Sequence, residues 1–402
     1  QCDLRVITAE TFGAGLHYFT GNKQHNIQLR TRANRMKLQM SEHGVWERKL
    51  FGRGQGEDNR KIARRIVAGR TEEELFRSLG LPFIPPEIRE GDGEIEAAAE
   101  GKLPRLVEAG DLQGDLHLRP RSLAEASALL HAAKAAGLAY VCFVLDAADL
   151  DAWSRELRLL EQSVGVRALT GVVAHIGSDG SVAKPHDGAD LVFGVVDDDD
   201  GEDRSERLVT AIESGVIDVV HRATGRVLLH QSPPPVELWA LLKAAARGHV
   251  LVEVGGDPAR LDLDARGCRT NIEVGATLSI ASEASDPDDM PRRAGFALSQ
   301  ARRGWIGKEL VGNAWPLAQL EQWLRNRPRA AERRERRVLL GAWLADDPLG
   351  AQLAAEPLDD VTVARLQEFL AGKADAPLER ALARSAGNAL QRAFELVARA
   401  RG

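Results

Sequence analysis

The middle of the chain alternates between short apolar runs and stretches in which apolar residues recur every three or four positions. The apolar runs have the length of buried strands and occur at 139–145, 169–176, 190–196, 217–221, 250–254 and 277–281. Ser122 is placed to cap a helix that continues to Ala136. Strands that alternate with helices usually pair in parallel, with the helices outside the sheet. The pattern therefore predicts a parallel α/β unit.

A second pattern marks the boundary in front of this unit. Thr71 is followed three positions later by Glu74, a spacing that predicts a capped helix start, and Gly80 is placed to end the helix. A proline-rich stretch at 82–86 comes next and stiffens the chain. We therefore predict that one domain ends near residue 90.

The last part of the chain has a different character. Residues 325–337 contain seven arginines and two glutamates, and residues 338–400 carry Leu and Ala at helical spacing. This predicts a basic linker or helix followed by three or four further helices. A charged helix surface is the commoner outcome for such a basic run, and contact with nucleic acid is the alternative.

A polar turn near the start of the chain carries the clearest chemistry. The stretch Tyr18-Phe19-Thr20-Gly21 leads into a basic helix in which Asn26 and Arg30 lie one turn apart, so both can point the same way. An aromatic pair can lie against a sugar, and an Asn side chain can reach a base edge. The planar donor fork of an Arg can meet a template strand. The arrangement suits a nucleotide.

Composition narrows the class of protein. The chain has 402 residues, 44% hydrophobic and 28% charged, which is typical of a globular protein with two or three domains. No apolar run reaches the roughly 18 residues that a membrane span needs. The cysteines Cys2, Cys142 and Cys268 are far apart and do not form a zinc-type pair. We expect a reduced, cytoplasmic setting and no membrane partner.

The charge distribution is uneven. Residues 1–90 carry 16 Lys and Arg against 11 Asp and Glu, while the whole chain has a net charge of −6. A basic front on an acidic body fits contact with a phosphate backbone at one end, although a solvated surface explains so small a bias equally well. The first residue is Gln1 and no leader follows it, so we expect a fragment or a processed product.

The turn and its surroundings resemble the end of the palm and the thumb of family X DNA polymerases, the polymerase beta type. The resemblance rests on Asp3-Leu4-Arg5-Val6-Ile7, on residues 12–17, on the 18–26 stretch with Arg30, and on Ser41-Glu42-His43-Gly44. It implies template-directed nucleotidyl transfer in DNA gap-filling repair. The implied partners are gapped or primed DNA and a deoxynucleoside triphosphate, and we expect a monomer.

The resemblance also implies roles for individual residues. Tyr18, Phe19, Thr20 and Gly21 would bind the nucleotide, with Asn26 on the base edge and Arg30 on the template. Residues 37–46 would form the hairpin that closes the nucleotide-binding subdomain. In that hairpin Glu42 matches the family, whereas Ser41 and His43 replace its Asn and Tyr.

Asp3 is the catalytic residue that the resemblance implies. Residues 3–7 alternate polar and apolar and predict a strand, and Asp3 falls where the family has the third of three carboxylates that hold two Mg²⁺ ions. Two ions can activate the attacking hydroxyl and stabilise the leaving pyrophosphate, so a cluster of carboxylates is needed. The other two carboxylates lie upstream in the family. We therefore expect this fragment to be inactive as a polymerase without them.

Bacterial members of the family continue into a polymerase and histidinol phosphatase (PHP) domain. Residues 114–118, Gly-Asp-Leu-His-Leu, resemble its opening strand, and residues 81–98 resemble the thumb end and exit linker. The PHP domain is a distorted seven-stranded barrel that holds three metals among His and acidic side chains. A barrel of this kind gathers its ligands at the strand ends.

Most of the implied PHP ligands are missing. His117 is kept, but Arg119 replaces a second His, Val173 falls at the bridging Glu position, and Arg222 stands at a third His position next to His221. Asp197 replaces another His, and the late Asp-Ala-His has become Glu283-Ala284-Ser285. Arginine and valine do not ligate metal. We expect a degenerate site with the PHP metals absent, in which His117, Asp197, His221 and Glu283 are remnants.

The fold class that follows is α/β multidomain. We predict the end of a polymerase-beta-type palm and thumb at 1–90, a linker at 91–112, a degenerate PHP-like barrel at 113–325 and a helical extension at 326–402. In the barrel, Arg119 and Arg222 would form salt bridges with Asp197 and Glu283. Besides a repair polymerase, the sequence leaves open a non-catalytic DNA-binding or scaffold protein. An active metal-dependent PHP phosphoesterase or 3′-5′ exonuclease is the weakest hypothesis.

Overall fold

The structure, a computed structural model, describes residues 4–47, 66–183, 188–197, 204–229 and 236–327. Asp3 and the predicted helical segment from residue 328 onward lie outside these ranges. None of the helices in the described parts is long and apolar enough to cross a membrane.

The first unit is a small α+β subdomain. Its elements are α1 (Phe12–Thr20), α2 (Lys23–Arg35), β1 (Leu38–Ser41), β2 (Gly44–Glu47), β3 (Ile66–Ala68), α3 (Glu72–Ser78) and α4 (Glu94–Ala99). β1 and β2 pair antiparallel with Gln39 opposite Trp46, and β3 adds to β2. This is the hairpin that the resemblance implied at 37–46. The Thr71 side chain accepts a hydrogen bond from the Glu74 amide at 3.2 Å, as the capping pattern predicted.

The second unit is a seven-stranded parallel sheet. Its strands are β4 (Gly114–Leu118), β5 (Tyr140–Val144), β6 (Arg167–His175), β7 (Leu191–Val195), β8 (Val219–Val220), β9 (Leu251–Gly255) and β10 (Leu278–Ala281). They lie in chain order across the sheet. The first and last strands approach each other, because the Arg119 amide donates to the Ala284 carbonyl at 2.8 Å and Leu118 bridges to Ala284. The sheet is therefore a nearly closed barrel, as predicted.

Helices surround this barrel. They are α5 (Leu123–Ala135), α6 (Ala147–Val164), α7 (Arg204–Glu213), α8 (Leu238–Gly248), α9 (Ala265–Val274), α10 (Met290–Arg303) and α11 (Leu317–Asn326). Leu320 of α11 packs with Tyr140, Leu191 and Leu251, which lie at or near the first residues of their strands. Helix α11 thus covers the amino-terminal end of the barrel. The polar residues described below lie at the opposite end, where the strands have their carboxyl ends.

The two units share apolar packing. Trp305, just after α10, is 8% exposed and belongs to the same apolar cluster as Leu29 and Phe76 of the first unit. Leu106, from the segment between the units, completes that cluster and forms a bridge with Gly307. The barrel therefore contributes directly to the core of the subdomain that contains the polar turn at residues 18–26.

One predicted element is not found. The described residues of the segment 3–7 do not form a strand. Leu4 and Val6 are 89% and 93% exposed, so the face that they share is not buried against a described neighbour. Alternation of polar and apolar residues specifies a strand only where a neighbouring strand is available to pair with it. The predicted strand is therefore wrong for Leu4–Ile7.

Candidate nucleotide-binding turn and barrel cluster

The polar turn connects α1 to α2, and its backbone is fixed by its sequence. Gly21 has φ of +75°, in the left-handed region that a glycine adopts at little cost. Asn22 follows as the N-cap of α2, and its side-chain oxygen accepts a hydrogen bond from the His25 amide at 2.9 Å. The helix therefore begins at Lys23.

The predicted nucleotide residues of this turn lie together. The Arg30 guanidinium lies over the Tyr18 ring at 5.2 Å from its centroid, and the Phe19 ring meets Tyr18 edge-on at 5.0 Å. Phe19 is 54% exposed and Thr20 is exposed. One aromatic ring is thus held by a cation while the second is open to a ligand.

Only one of the two polar atoms of the Asn26 side-chain amide forms a hydrogen bond among the described residues. Its nitrogen donates to the Tyr18 carbonyl at 3.0 Å, while its oxygen is buried and accepts no hydrogen bond from the described residues. A buried acceptor without a partner is uncommon in folded proteins. The Tyr18 contact fixes the amide and leaves its oxygen as an unpaired acceptor.

Two buried histidines lie behind the turn. The His25 Nδ1 lies 2.6 Å from the Glu94 carboxylate, and both side chains are fully buried. His17 is also buried, and neither of its ring nitrogens has a partner among the described residues. Burial, reinforced by the nearby Arg89 guanidinium, lowers the pKa of His17 to about 3. His17 therefore remains neutral and behaves as an apolar ring beside Phe76.

Glu42 lies apart from these contacts. It occupies the two-residue turn between β1 and β2, and its carboxylate lies 3.8 Å from the imidazole of His43 in the same turn. Both side chains are more than a third exposed. The implied role of Glu42 therefore stays a prediction, as does that of Asp3.

A compact cluster lies at the carboxyl ends of the barrel strands. The Nδ1 atoms of His117 and His221 lie 2.7 and 2.6 Å from the two carboxylate oxygens of Glu253. The His221 Nε2 lies 3.9 Å from Glu283. All four side chains are buried, and their ligand atoms lie within 4.8 Å of one another. Three of the four remnants predicted from the sequence are thus brought together.

The carboxylate of Glu253 controls the charge of this cluster. Burial alone would lower the pKa of His117, but the facing Glu253 outweighs burial and raises it. Burial alone would raise the pKa of Glu253, but the two imidazoles outweigh it and lower it. Asp115, which accepts from the amides of His117 and Ser282, has its pKa raised to about 6 by burial. Glu253 and His117 therefore stabilise the charged forms of each other.

The donor set fits one divalent ion and not three. With each Nδ1 held by Glu253, the Nε2 atoms of His117 and His221 are the free ring nitrogens, a common arrangement behind metal-ligating histidines. The His117 Nε2 and one Glu283 oxygen are buried without a hydrogen-bond partner among the described residues, and that oxygen lies 3.9 Å from the His221 Nε2. Two imidazoles and one carboxylate suit a single transition-metal ion. Further ligands for two more ions are absent from the described cluster.

Asp197 does not join this cluster. It accepts a hydrogen bond from the His175 Nδ1 at 2.9 Å, and both side chains are well exposed. Neither Arg119 nor Arg222 pairs with Asp197 or Glu283 among the ion pairs of the described residues, so the salt bridges that we hypothesised are not found there. The buried Nε of Arg222 has no partner in this part of the chain.

Sequence reasoning missed Glu253. The signal was present, since a carboxylate stands in the middle of the apolar strand 250–254 and charged residues are almost never fully buried unless paired. Its partners are 136 and 32 residues away along the chain, so the pattern alone could not identify them.

The structure thus joins a small α+β subdomain with a polar turn to a barrel with a polar centre. A family model described as DNA polymerase beta thumb matches residues 15–90. The DNA polymerase/3′-5′ exonuclease PolX of Bacillus subtilis (strain 168) is 29% identical over 347 residues, which cover 80% of this chain and 58% of that protein. The chain is related to the bacterial family X DNA polymerases, and the resemblance stated from the sequence is confirmed.

Proposed function

We propose that the chain forms the thumb-side part of a family X DNA polymerase that fills gaps in DNA during repair. The chain spans 58% of the length of its curated relative, so the activity is proposed for the complete enzyme. The observation that carries the proposal is the turn within the matched thumb, where Arg30 stacks on Tyr18 and the Asn26 amide oxygen lacks a partner. In this proposal Asn26 meets the base edge and Arg30 the template.

The chemistry would be nucleotidyl transfer with Mg²⁺. Asp3 would supply one carboxylate of the metal cluster, and two further carboxylates would complete it. The residues of this chain would hold the incoming deoxynucleoside triphosphate against the template, and positioning of this kind accounts for much of the catalysis of phosphoryl-type transfer. The domain division proposed is 1–90, 91–112, 113–325 and 326–402.

The test is a binding measurement on the full chain with a DNA that has a one-nucleotide gap. The complementary deoxynucleoside triphosphate should bind more tightly than the three mismatched ones. Asn26→Ala should weaken that binding by about three- to tenfold, the range expected for one hydrogen bond. Asn34→Ala, an exposed amide on the same helix, is the matched control and should leave the affinity unchanged. Equal affinity for all four nucleotides would favour the scaffold hypothesis.

For the barrel we propose a PHP domain that has lost its phosphoesterase centre. The support is the donor set, which is too small for three ions and in which both Nδ1 atoms are already engaged by Glu253. A second candidate, a reduced site with one metal ion, is favoured by the unpartnered His117 Nε2 and Glu283 oxygen. Manganese-dependent 3′-5′ exonuclease activity should be absent under the first proposal, and activity abolished by His117→Ala would support the second.

A further inference from the structure

Residues 86–94 lie between the barrel and the candidate nucleotide-binding turn. They overlap only the start of the linker predicted at 91–112, and we call them the linker segment. On the barrel side, two consecutive arginines of α10 hold it. The Arg302 Nε donates to the Glu87 carboxylate at 2.8 Å, and the Arg303 guanidinium donates to Glu90 at 2.7 Å. Arg302 also donates to the Val107 carbonyl at 2.9 Å, so its guanidinium joins the segments before and after α4. These contacts fix the linker segment to helix α10.

On the other side, the linker segment holds the start of α2. The Asn22 side-chain nitrogen donates to the Glu90 backbone carbonyl at 2.9 Å and to its carboxylate at 3.2 Å. The Asn22 amide donates to the Arg89 carbonyl at 3.0 Å. One turn further along, the Gln28 side chain donates to the Gly91 carbonyl at 3.1 Å. The first turns of α2 therefore rest on the linker segment through both backbone and side chains.

Glu90 contacts both the barrel and the residue that begins α2. One of its carboxylate oxygens accepts from Arg303 of the barrel, and the other accepts from Asn22, the residue that directly follows Thr20-Gly21. Deeper in the same contact, the buried pair between Glu94 and His25 ties the end of the linker segment to the helix that carries Asn26 and Arg30. Trp305, next to Arg303, contributes to the apolar core beneath.

We propose that the barrel positions the nucleotide-binding turn through this linker segment, with Arg303 and Glu90 as positioning residues. The inference rests on the proposed function, which makes the turn a nucleotide site. It gives the barrel a role that requires no metal ion, because the contacts come from α10 and not from the cluster at the strand ends. Neither Arg303 nor Glu90 touches the nucleotide in this proposal, and both act through Asn22.

The expected loss of nucleotide affinity depends on how exposed the two ion pairs are to solvent. The Arg303 and Glu90 side chains are 48% and 38% exposed, and exposed ion pairs contribute little individually. The Arg302 and Glu87 pair is less exposed, at 20% and 31%. Removing both arginines together should therefore give a measurable change, whereas Arg303→Met alone should give less than half of it on a logarithmic scale.

The experiment compares Arg302→Met/Arg303→Met with the unaltered full chain on DNA with a one-nucleotide gap. The complementary deoxynucleoside triphosphate should bind about three- to tenfold more weakly, while the affinity for the gapped DNA itself should change less than about twofold. Hydrogen exchange of the amides at 20–28 should accelerate in the variant, because the N-cap of α2 is released. Arg303→Lys, which keeps a donor, should restore part of the affinity lost in Arg303→Met.

Arg292→Met is the matched control. Arg292 lies on the same helix and forms an ion pair of 2.6 Å, but its partner is Asp289 of the same helix end and not the linker segment. The control should match the unaltered chain in both measurements. If the double variant also matched it, the positioning role would be refuted. If the unaltered chain bound no nucleotide, the proposed function would fail, and hydrogen exchange alone would decide whether the barrel holds the turn.

Discussion

Arg30 is the residue whose role can be tested most directly. Its guanidinium is held over the Tyr18 ring, which orients it while leaving its donors available. We expect Arg30→Ala to lower the preference for correct over incorrect nucleotides in a gap-filling assay with the complete enzyme by about tenfold, the loss of roughly 1–2 kcal/mol of contact with the template strand. Arg35→Ala, an exposed arginine on the same helix, should not change that preference.

His17 gives a prediction about pH. Its pKa in the folded chain is about 3, against 6.5 in the unfolded chain. Because only the unfolded state takes up the proton between these values, stability is complete above pH 6.5 and falls as the pH is lowered. At pH 5 the loss is about 2 kcal/mol. His17→Leu should remove this dependence, which denaturant unfolding at pH 7 and pH 5 would measure.

The control for His17 is another helical histidine. His131 is exposed on α5, so His131→Leu should keep the full loss of stability on acidification. The Glu94 carboxylate adds a separate dependence in the same direction: burial raises its pKa, but the contact with His25 and the hydrogen bonds from backbone amides together outweigh burial and lower the pKa below 4.5. That part should persist in His17→Leu below about pH 4.5. An unchanged pH profile in His17→Leu would show that His17 is not the responsible group.

At the scale of elements, helix α2 depends on its N-cap. Asn22 accepts from the His25 amide and also donates to Glu90, so its side chain joins the helix start to the linker segment. Asn22→Ala should cost about 1 kcal/mol of stability through loss of the cap. It should also weaken nucleotide binding, because Asn26 and Arg30 lie in the first two turns of this helix. Thermal unfolding and nucleotide titration of the full chain would measure the two effects.

Ser122 supplies the matched comparison for Asn22. It caps α5 in the same way, accepting from the Glu125 amide at 3.2 Å, but it lies in the barrel. Ser122→Ala should therefore cost a similar free energy of unfolding while leaving nucleotide affinity unchanged. If both variants weakened nucleotide binding equally, general loss of stability would explain the effect and the specific role of Asn22 would be excluded.

The barrel strands could be predicted from the sequence because their environment is uniform. Strands buried on both faces are continuous apolar runs, and the six runs at 139–145 through 277–281 each overlap a strand of the structure. The boundaries were less certain, since β8 is only Val219–Val220 where 217–221 was predicted. The strand predicted at 3–7 is not found at Leu4–Ile7 because the described residues offer no strand that could pair with it. A local sequence pattern cannot show whether such a partner exists.

The two candidate sites also differ in how far the sequence could predict them. The residues of the turn are close in sequence, so helical spacing alone predicted that Asn26 and Arg30 share a face. The barrel cluster depends on contacts between distant strands, and therefore Glu253 was missed and Asp197 was assigned to a cluster that it does not join. The contact of Glu90 with Arg303 spans 213 residues and had no signal in the sequence.

At the scale of the whole molecule, the question is whether the barrel needs a metal to remain folded. Glu253 already accepts from both histidines, and the core of the barrel is apolar. A structural metal ion typically contributes on the order of 10 kcal/mol, so its removal would be conspicuous. We expect the unfolding temperature of the full chain to be the same with and without EDTA, and metal analysis of the purified protein to show far less than one ion per chain.

Adding metal distinguishes the two candidates for the barrel. If the centre is lost, stoichiometric Zn²⁺ or Mn²⁺ should leave the unfolding temperature unchanged, because an ion that does not bind the folded chain cannot stabilise it. If one ion binds through the Nε2 atoms of His117 and His221, Zn²⁺ should raise the unfolding temperature by mass action. That rise should vanish in His117→Ala and persist in His131→Ala, whose imidazole is exposed on α5. This second pattern would overturn the degenerate interpretation while leaving the positioning role of α10 intact.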